Sequence, residues 1–195
     1  MPEGAPNATL RLWRVFPYDP AAAPGTPYTA AMVPRGQGAG RFDLPAVTPV
    51  WYFAESAAHA VAETLQSLRG QTLDAADLLR AGRPLAHVEV TGAPAVAAAV
   101  VDLCDPGELA GRGIRPDRLA SRTATTTQRI AERLAADGVP GFRWWSALDG
   151  NWHATVLFHR NLPPDALRFG TPEPLALDAP AVRAACRALA IARAR

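Results

Sequence analysis

The sequence contains no lysine: all 20 of its basic residues are arginine. With abundant alanine and proline, this reads as a coding bias and by itself specifies no function. Cysteine is nearly absent, with only Cys104 and Cys186, far apart and in apolar surroundings. The lack of CxxC spacing and of a secretory start excludes a disulfide framework and points to a reduced, cytoplasmic chain. No apolar run approaches the ~18 residues that span a bilayer, so no membrane association is expected. Charge of one sign is missing too. Twenty basic and 18 acidic residues leave a formal net charge of +2, too weak a field to make nucleic acid the default partner. Repeats and low-complexity segments are absent, which excludes solenoids and arrays.

What is present suffices for a core. Hydrophobic residues make up 49% and charged residues 19% of the 195, ordinary values for one globular domain. Thr9–Phe16 alternates apolar and polar residues in a β-rich composition and predicts the first strand. The Pro- and Gly-rich stretch 17–40 is too long for a plain connection and reads as a functional loop. Val50–Ala54 predicts a buried strand running directly into a helix over Glu55–Leu68. A short helix is expected at Leu73–Arg80, strands at Leu85–Val90 and Val96–Leu103, and irregular helix after Asp105-Pro106. Thr125–Asp137 reads as a helix stopped by Gly138-Val139-Pro140-Gly141. Three short strands, Phe142–Trp145, Ala154–His159 and Ala166–Phe169, precede a final helix at Pro180–Arg193. Strands and helices do not alternate regularly, so the expectation is a single α+β domain and not a doubly wound sheet.

Several residues carry chemistry beyond what folding needs. Arg14 sits in a strand that otherwise buries its neighbours, and Arg41 follows Gly36, Gly38 and Gly40. Arginine binds phosphate bidentately, and glycine lets backbone approach a ligand. No clear helix follows these glycines, so neither a P-loop nor a dinucleotide-binding fingerprint is met. Tyr52 reads equally as core or as a ring that stacks on a flat heterocycle. Glu63 reads as a surface residue or as a carboxylate that stabilises a cation, its alanine neighbours being less polar than a solvated face. Glu55, His59 and Glu63 recur at i, i+4 and i+8, but the HExxH pattern is absent, and polar pairing along one helix face explains them better than a metal. Ser146 is a turn residue on pattern alone, and no GxSxG elbow surrounds it.

Taken together, the ordered segments LWRV (Leu12–Val15), GRF (Gly40–Phe42), WYFAES with AVAET (Trp51–Thr64), VVDLCDP (Val100–Pro106), TTQRIAERL (Thr126–Leu134), GFRWWSA (Gly141–Ala147) and VLF (Val156–Phe158) resemble the RES domain. Trp13 stands where that family usually has tyrosine before the arginine, and Phe42-Asp43 where Trp-Asn is common. The resemblance covers about residues 9–170, leaving 1–8 as a tail and 171–195 as a C-terminal helical extension. It implies an ADP-ribosyltransferase-like fold of mostly antiparallel sheet with flanking helices. It also implies a toxin that consumes NAD⁺ as substrate, without a further cofactor or metal, restrained by a helix-turn-helix antitoxin. Carried over by segment, Arg14 and Arg41 would bind the pyrophosphate, and Tyr52 would stack near nicotinamide. Glu63 would stabilise the ribosyl cation, and Ser146 would hydrogen-bond phosphate or ribose. The acceptor stays open among water, phosphate and a protein side chain, as does a pocket that binds nucleotide or antitoxin without chemistry. The last helix is expected to dock on its own core, with self-association or antitoxin contact as the alternative.

Overall fold

The computed structural model describes residues 9–33 and 37–194, so the 1–8 tail and Gly36 lie outside the described residues. In chain order the elements are β1 (Leu10–Pro17), β2 (Val50–Ala54), α1 (Ala57–Leu65), β3 (Thr72–Leu73), β4 (Leu79–Arg80), β5 (Arg83–Gly92), α2 (Pro94–Ala99), β6 (Val101–Asp102) and α3 (Pro106–Gly111). They continue with α4 (Pro116–Leu119), α5 (Ala124–Ala136), β7 (Gly141–Trp145), β8 (His153–Phe158), β9 (Leu167–Phe169), β10 (Glu173–Pro174), α6 (Pro180–Leu189) and β11 (Ala192–Arg193). This is the expected α+β architecture, a mostly antiparallel sheet with helices packed against it. No helix among the described residues is long and apolar enough to cross a membrane.

The main sheet runs β10-β5-β1-β2-β8-β7-β6. β1 pairs with β5 along its whole length, from Leu10 opposite Gly92 to Pro17 opposite Leu85. β2 pairs with β8 along its whole length as well, from Val50 opposite Phe158 to Ala54 opposite Ala154. Between these two halves, β1 and β2 share one register pair, Trp13 with Ala54. The sheet therefore splays open at its centre.

Three apolar clusters hold the layers. α5 lays Ile130, Ala131 and Leu134 on Phe42, Phe142, Trp144 and Phe158. α6 lays Val182, Ala185, Cys186 and Leu189 on Val61, Ala62 and Leu65 of α1. On the other side of the splayed strands, Leu12 and Phe16 meet Trp51, Phe53, Val88 and Val90.

Four sequence expectations are corrected. The predicted strand at Val96–Leu103 is mostly α2, because Pro94 starts a helix and Ala97–Ala99 favour it; only Val101–Asp102 is strand. The predicted helix at Leu73–Arg80 is a single 3₁₀ turn between two short strands, since Leu73 is drawn into pairing with Arg193 near the C-terminus. The helix expected from Glu55 begins at Ala57, because Ser56 caps it by accepting the His59 N–H at 3.1 Å. The final helix stops at Leu189 instead of Arg193: Ala190 adopts a left-handed conformation, φ 54°, and Ala192–Arg193 form a strand.

Leu189 is 1% exposed within the α1–α6 cluster. Leu189→Ala is expected to lower stability by about 2–5 kcal/mol, from lost transfer energy and the cavity left behind. Urea unfolding followed by tryptophan fluorescence measures it.

Candidate active site

A cavity of about 480 Å³ occupies the splay between β1 and β2, lined by Trp13, Arg14, Tyr52, Arg41, Glu63 and Trp144 among others. Its volume lies within the range of small-molecule pockets, roughly 300–1,000 Å³. The strands supply two walls, α1 supplies Glu63, and the loop before β2 supplies Arg41. Four of the five sequence-selected residues thus converge on one space.

Arg14 occupies the middle of an apolar stripe, two residues from buried Leu12 and two from buried Phe16, so the strand's alternation carries a guanidinium into the core side. Its Nη1 donates to the carbonyls of Ala30 and Met32, both at 3.1 Å. Among the described residues it forms no ion pair, and burial pushes its pKa down to about 10. A cation in this setting lacks a counter-charge.

Arg41 stacks over the Trp144 ring, Cζ to centroid 4.4 Å, and donates from Nη2 to the carbonyl of Leu119 at 2.5 Å. Its Nε is buried without a partner among the described residues. Burial lowers its pKa, opposed by the fields of Tyr52 and Glu63. The loop that carries it is fastened by Phe42, packed edge-on between Phe142 and Trp144, both at 4.9 Å. Gln128 of α5 donates to the carbonyls of Gly38 and Gly40 at 3.1 and 3.0 Å, and Thr127 donates to that of Arg41.

Asp43 organises this loop and was not singled out as a site residue by sequence reasoning. It is 5% exposed. Its Oδ2 accepts the N–H groups of Gly38 and Gly40 at 2.8 and 2.7 Å, while its Oδ1 accepts the Tyr52 hydroxyl at 2.8 Å. Tyr52 also accepts the Phe42 N–H at 3.0 Å. Burial, followed by the hydrogen bond to Asp43, raises the Tyr52 pKa, so the phenol stays protonated and its ring faces the cavity edge-fixed. The signal available in the sequence was a lone acid three residues after the last glycine of the loop.

Glu63 lies on α1 with Oε1 accepting from Ser146 Oγ at 2.7 Å and from His59 Nε2 at 3.1 Å. Oε2 keeps one long contact, from Gln66 Nε2 at 3.4 Å, and remains open to a ligand. Desolvation pushes the carboxyl up, but the hydrogen bonds from His59 and Ser146 and the fields of His59 and Arg41 outweigh it, so the group is held below its ordinary range. Ser146 sits behind Glu63, 4% exposed, and is not among the residues that line the cavity. Of the row Glu55, His59 and Glu63, the His59–Glu63 pair forms at i,i+4 and Glu55 stands apart. Glu55 precedes the helix cap and instead binds Arg143 at 2.6 Å and His153 at 3.1 Å. Arg143 also reaches Asp102 at 2.9 Å and stands outside the cavity lining.

A central carboxylate, two arginines and an aromatic wall suit an anionic ligand that bears a flat ring. Comparison with known proteins agrees with the fold. The RES domain profile matches residues 11–179. The chain belongs to the RES domain family. No curated protein matches it. Among solved structures, a chain of the MbcT–MbcA toxin–antitoxin complex of M. tuberculosis superposes with a TM-score of 0.58 at 16% identity. The match covers 87% of this RES domain chain and 85% of that chain.

In this RES domain a Cβ on Gly40 would lie 2.6 Å from Asp43 Oδ1 and 2.8 Å from Oδ2. Gly40→Ala must therefore displace the carboxylate that ties the loop to Tyr52. The expected cost is about 1–3 kcal/mol, read as a lower urea midpoint, together with increased proteolysis of the 37–43 loop.

Proposed function

We infer that this protein cleaves the nicotinamide–ribose bond of NAD⁺, passing the ADP-ribosyl group to water or phosphate. The observation that carries this reading is Arg14: a guanidinium buried at a core-facing strand position, without a carboxylate partner among the described residues. Such a charge is costly unless a ligand anion completes it, and a pyrophosphate supplies that anion with geometry matched to the guanidinium fork. Arg41 is the second cation at the same cavity. Trp13, Tyr52 and Trp144 offer flat apolar walls to the base and the nicotinamide.

In the chemical step the C1′–N bond breaks with both electrons going to nicotinamide, which leaves neutral. Positive charge develops over C1′ and the ring oxygen of the ribose. Glu63, kept ionised and with Oε2 met only by the long contact from Gln66, holds the ribose hydroxyls and stabilises that charge. The acceptor oxygen then bonds to C1′: water gives one proton to solvent, whereas phosphate attacks through a deprotonated oxygen and gives up none. Ser146 contributes by holding Glu63 through its hydroxyl. The RES family resemblance and the toxin–antitoxin neighbour support a toxin role, with a helix-turn-helix antitoxin as the restraining partner.

Incubation of purified protein with NAD⁺, with and without phosphate, followed by product chromatography, tests the reading; nicotinamide release is expected and intact NAD⁺ overturns it. Glu63→Gln keeps size and removes charge, and kcat is expected to fall about 10²–10³-fold, with relief of growth arrest on expression. Because Glu63 is active as the anion and is held below its ordinary value of 4.5, kcat/KM stays level as pH falls to that value and declines only beneath it. Arg14→Ala and Arg41→Ala are expected to raise KM about tenfold or more, the loss of a charged hydrogen bond of about 1.5–3 kcal/mol. Arg143→Ala, outside the cavity, leaves KM near wild type. Steady-state nicotinamide assays on the three variants decide this.

A further inference from the structure

A buried imidazole lies behind the cavity. His59 is 1% exposed. Its ring stacks on Trp152, centroids 4.9 Å apart at 28°, and its Nε2 meets Glu63 Oε1 at 3.1 Å. Trp152 and Ser146 come from one turn, between β7 and β8, closed by the Ser146 N–H donating to the Trp152 carbonyl at 2.7 Å. That turn therefore delivers both the surface on which the imidazole lies and the second donor to Glu63 Oε1. His59, Glu63, Ser146 and Trp152 form a closed circuit of contacts.

We propose that His59 is a positioning residue for Glu63, its Nε2–H locking Oε1 toward the protein so that Oε2 is presented to the ligand. This rests on the reading of Glu63 as the carboxylate that stabilises the ribosyl cation. Three observations support it. An ionised carboxylate only accepts, so Nε2 must carry the hydrogen. Nδ1 is buried with no hydrogen-bond partner among the described residues, a cost that an apolar side chain filling the same space would avoid. And the Ser56 cap, which accepts the His59 backbone N–H, fixes this residue one turn before Glu63, on the same helix face. The charged and titratable groups around the pair are Glu63 itself and Arg41, whose field reaches Glu63; Ser146 and Trp152 complete the surroundings from the β7–β8 turn.

The test compares His59→Gln, which keeps a donor near the Nε2 position, with His59→Leu, which removes it. Two readouts are used: nicotinamide release, and the carboxyl ¹³C titration of Glu63 in the protein without NAD⁺. His59→Gln is expected to keep kcat within about threefold and Glu63 titrating below the ordinary glutamate range. His59→Leu is expected to lower kcat at least tenfold with KM within twofold, and to move the Glu63 titration upward. An unchanged Glu63 titration in His59→Leu overturns the proposal, as does a His59→Gln that loses kcat and titration as fully as His59→Leu. Wild-type ¹⁵N shifts of the imidazole decide independently of any variant: hydrogen on Nε2 is expected, and an imidazole whose hydrogen sits on Nδ1 alone overturns it. If wild type leaves NAD⁺ intact, the proposed reaction fails, and the titration and tautomer results still report on His59.

Discussion

Backbone pairing along β1 is complete on one side and limited on the other to Trp13 opposite Ala54. β2 is in the same position, fully paired with β8 and released from β1 beyond that contact. Two strands of right-handed twist that diverge after one pair leave a wedge that neither can fill with backbone. Side chains must line it, and those available come from Trp13–Val15 and Trp51–Ala54. The cavity is a consequence of this limited pairing. Arg14 can be buried in an apolar stripe because the wedge gives its guanidinium somewhere to go.

The charges around the wedge are sorted by what fastens them. Asp43, the buried acid nearest the arginine loop, is saturated by two backbone amides and a phenol, so it stiffens the loop without neutralising Arg14 or Arg41. Glu63 is saturated on one oxygen only. The arginines are held by carbonyls and by an aromatic face, contacts that orient a cation and leave its charge intact. The protein thus fixes the position of every charged group while leaving the cations and one carboxylate oxygen available.

Much of the fold was legible because it is local. The alternation in Leu10–Pro17, the run Val50–Ala54 leading into α1, and the period of α5 each follow from nearest neighbours in the chain. Misread segments depended on distant partners or on competing local rules. Leu73 becomes strand because Arg193 arrives beside it, and nothing within eight residues of Leu73 announces that. Val96–Leu103 is apolar except for Asp102, so its period is uninformative, and Pro94 with the following alanines settled its first half as helix. At the site, Arg14, Arg41, Tyr52 and Glu63 were recognisable through the order of the family's segments. The work of Asp43 was not, because it acts through contacts across the loop that spacing does not order; the i,i+4 pairing of His59 with Glu63 was legible, but the Trp152 and Ser146 contacts that fix it were not.

The family match ends at residue 179, one residue before α6 begins. Yet α6 covers the apolar face of α1, the helix whose opposite side carries His59 and Glu63. A functional boundary drawn from sequence similarity and a cooperative unit drawn from packing therefore do not coincide here. Opening of α6 exposes the back of α1, so amides of both helices should exchange with solvent together, as one unit. Drift in the apolar residues of this C-terminal helix is then constrained by the carboxylate on the far side of α1, although none of them approaches the cavity.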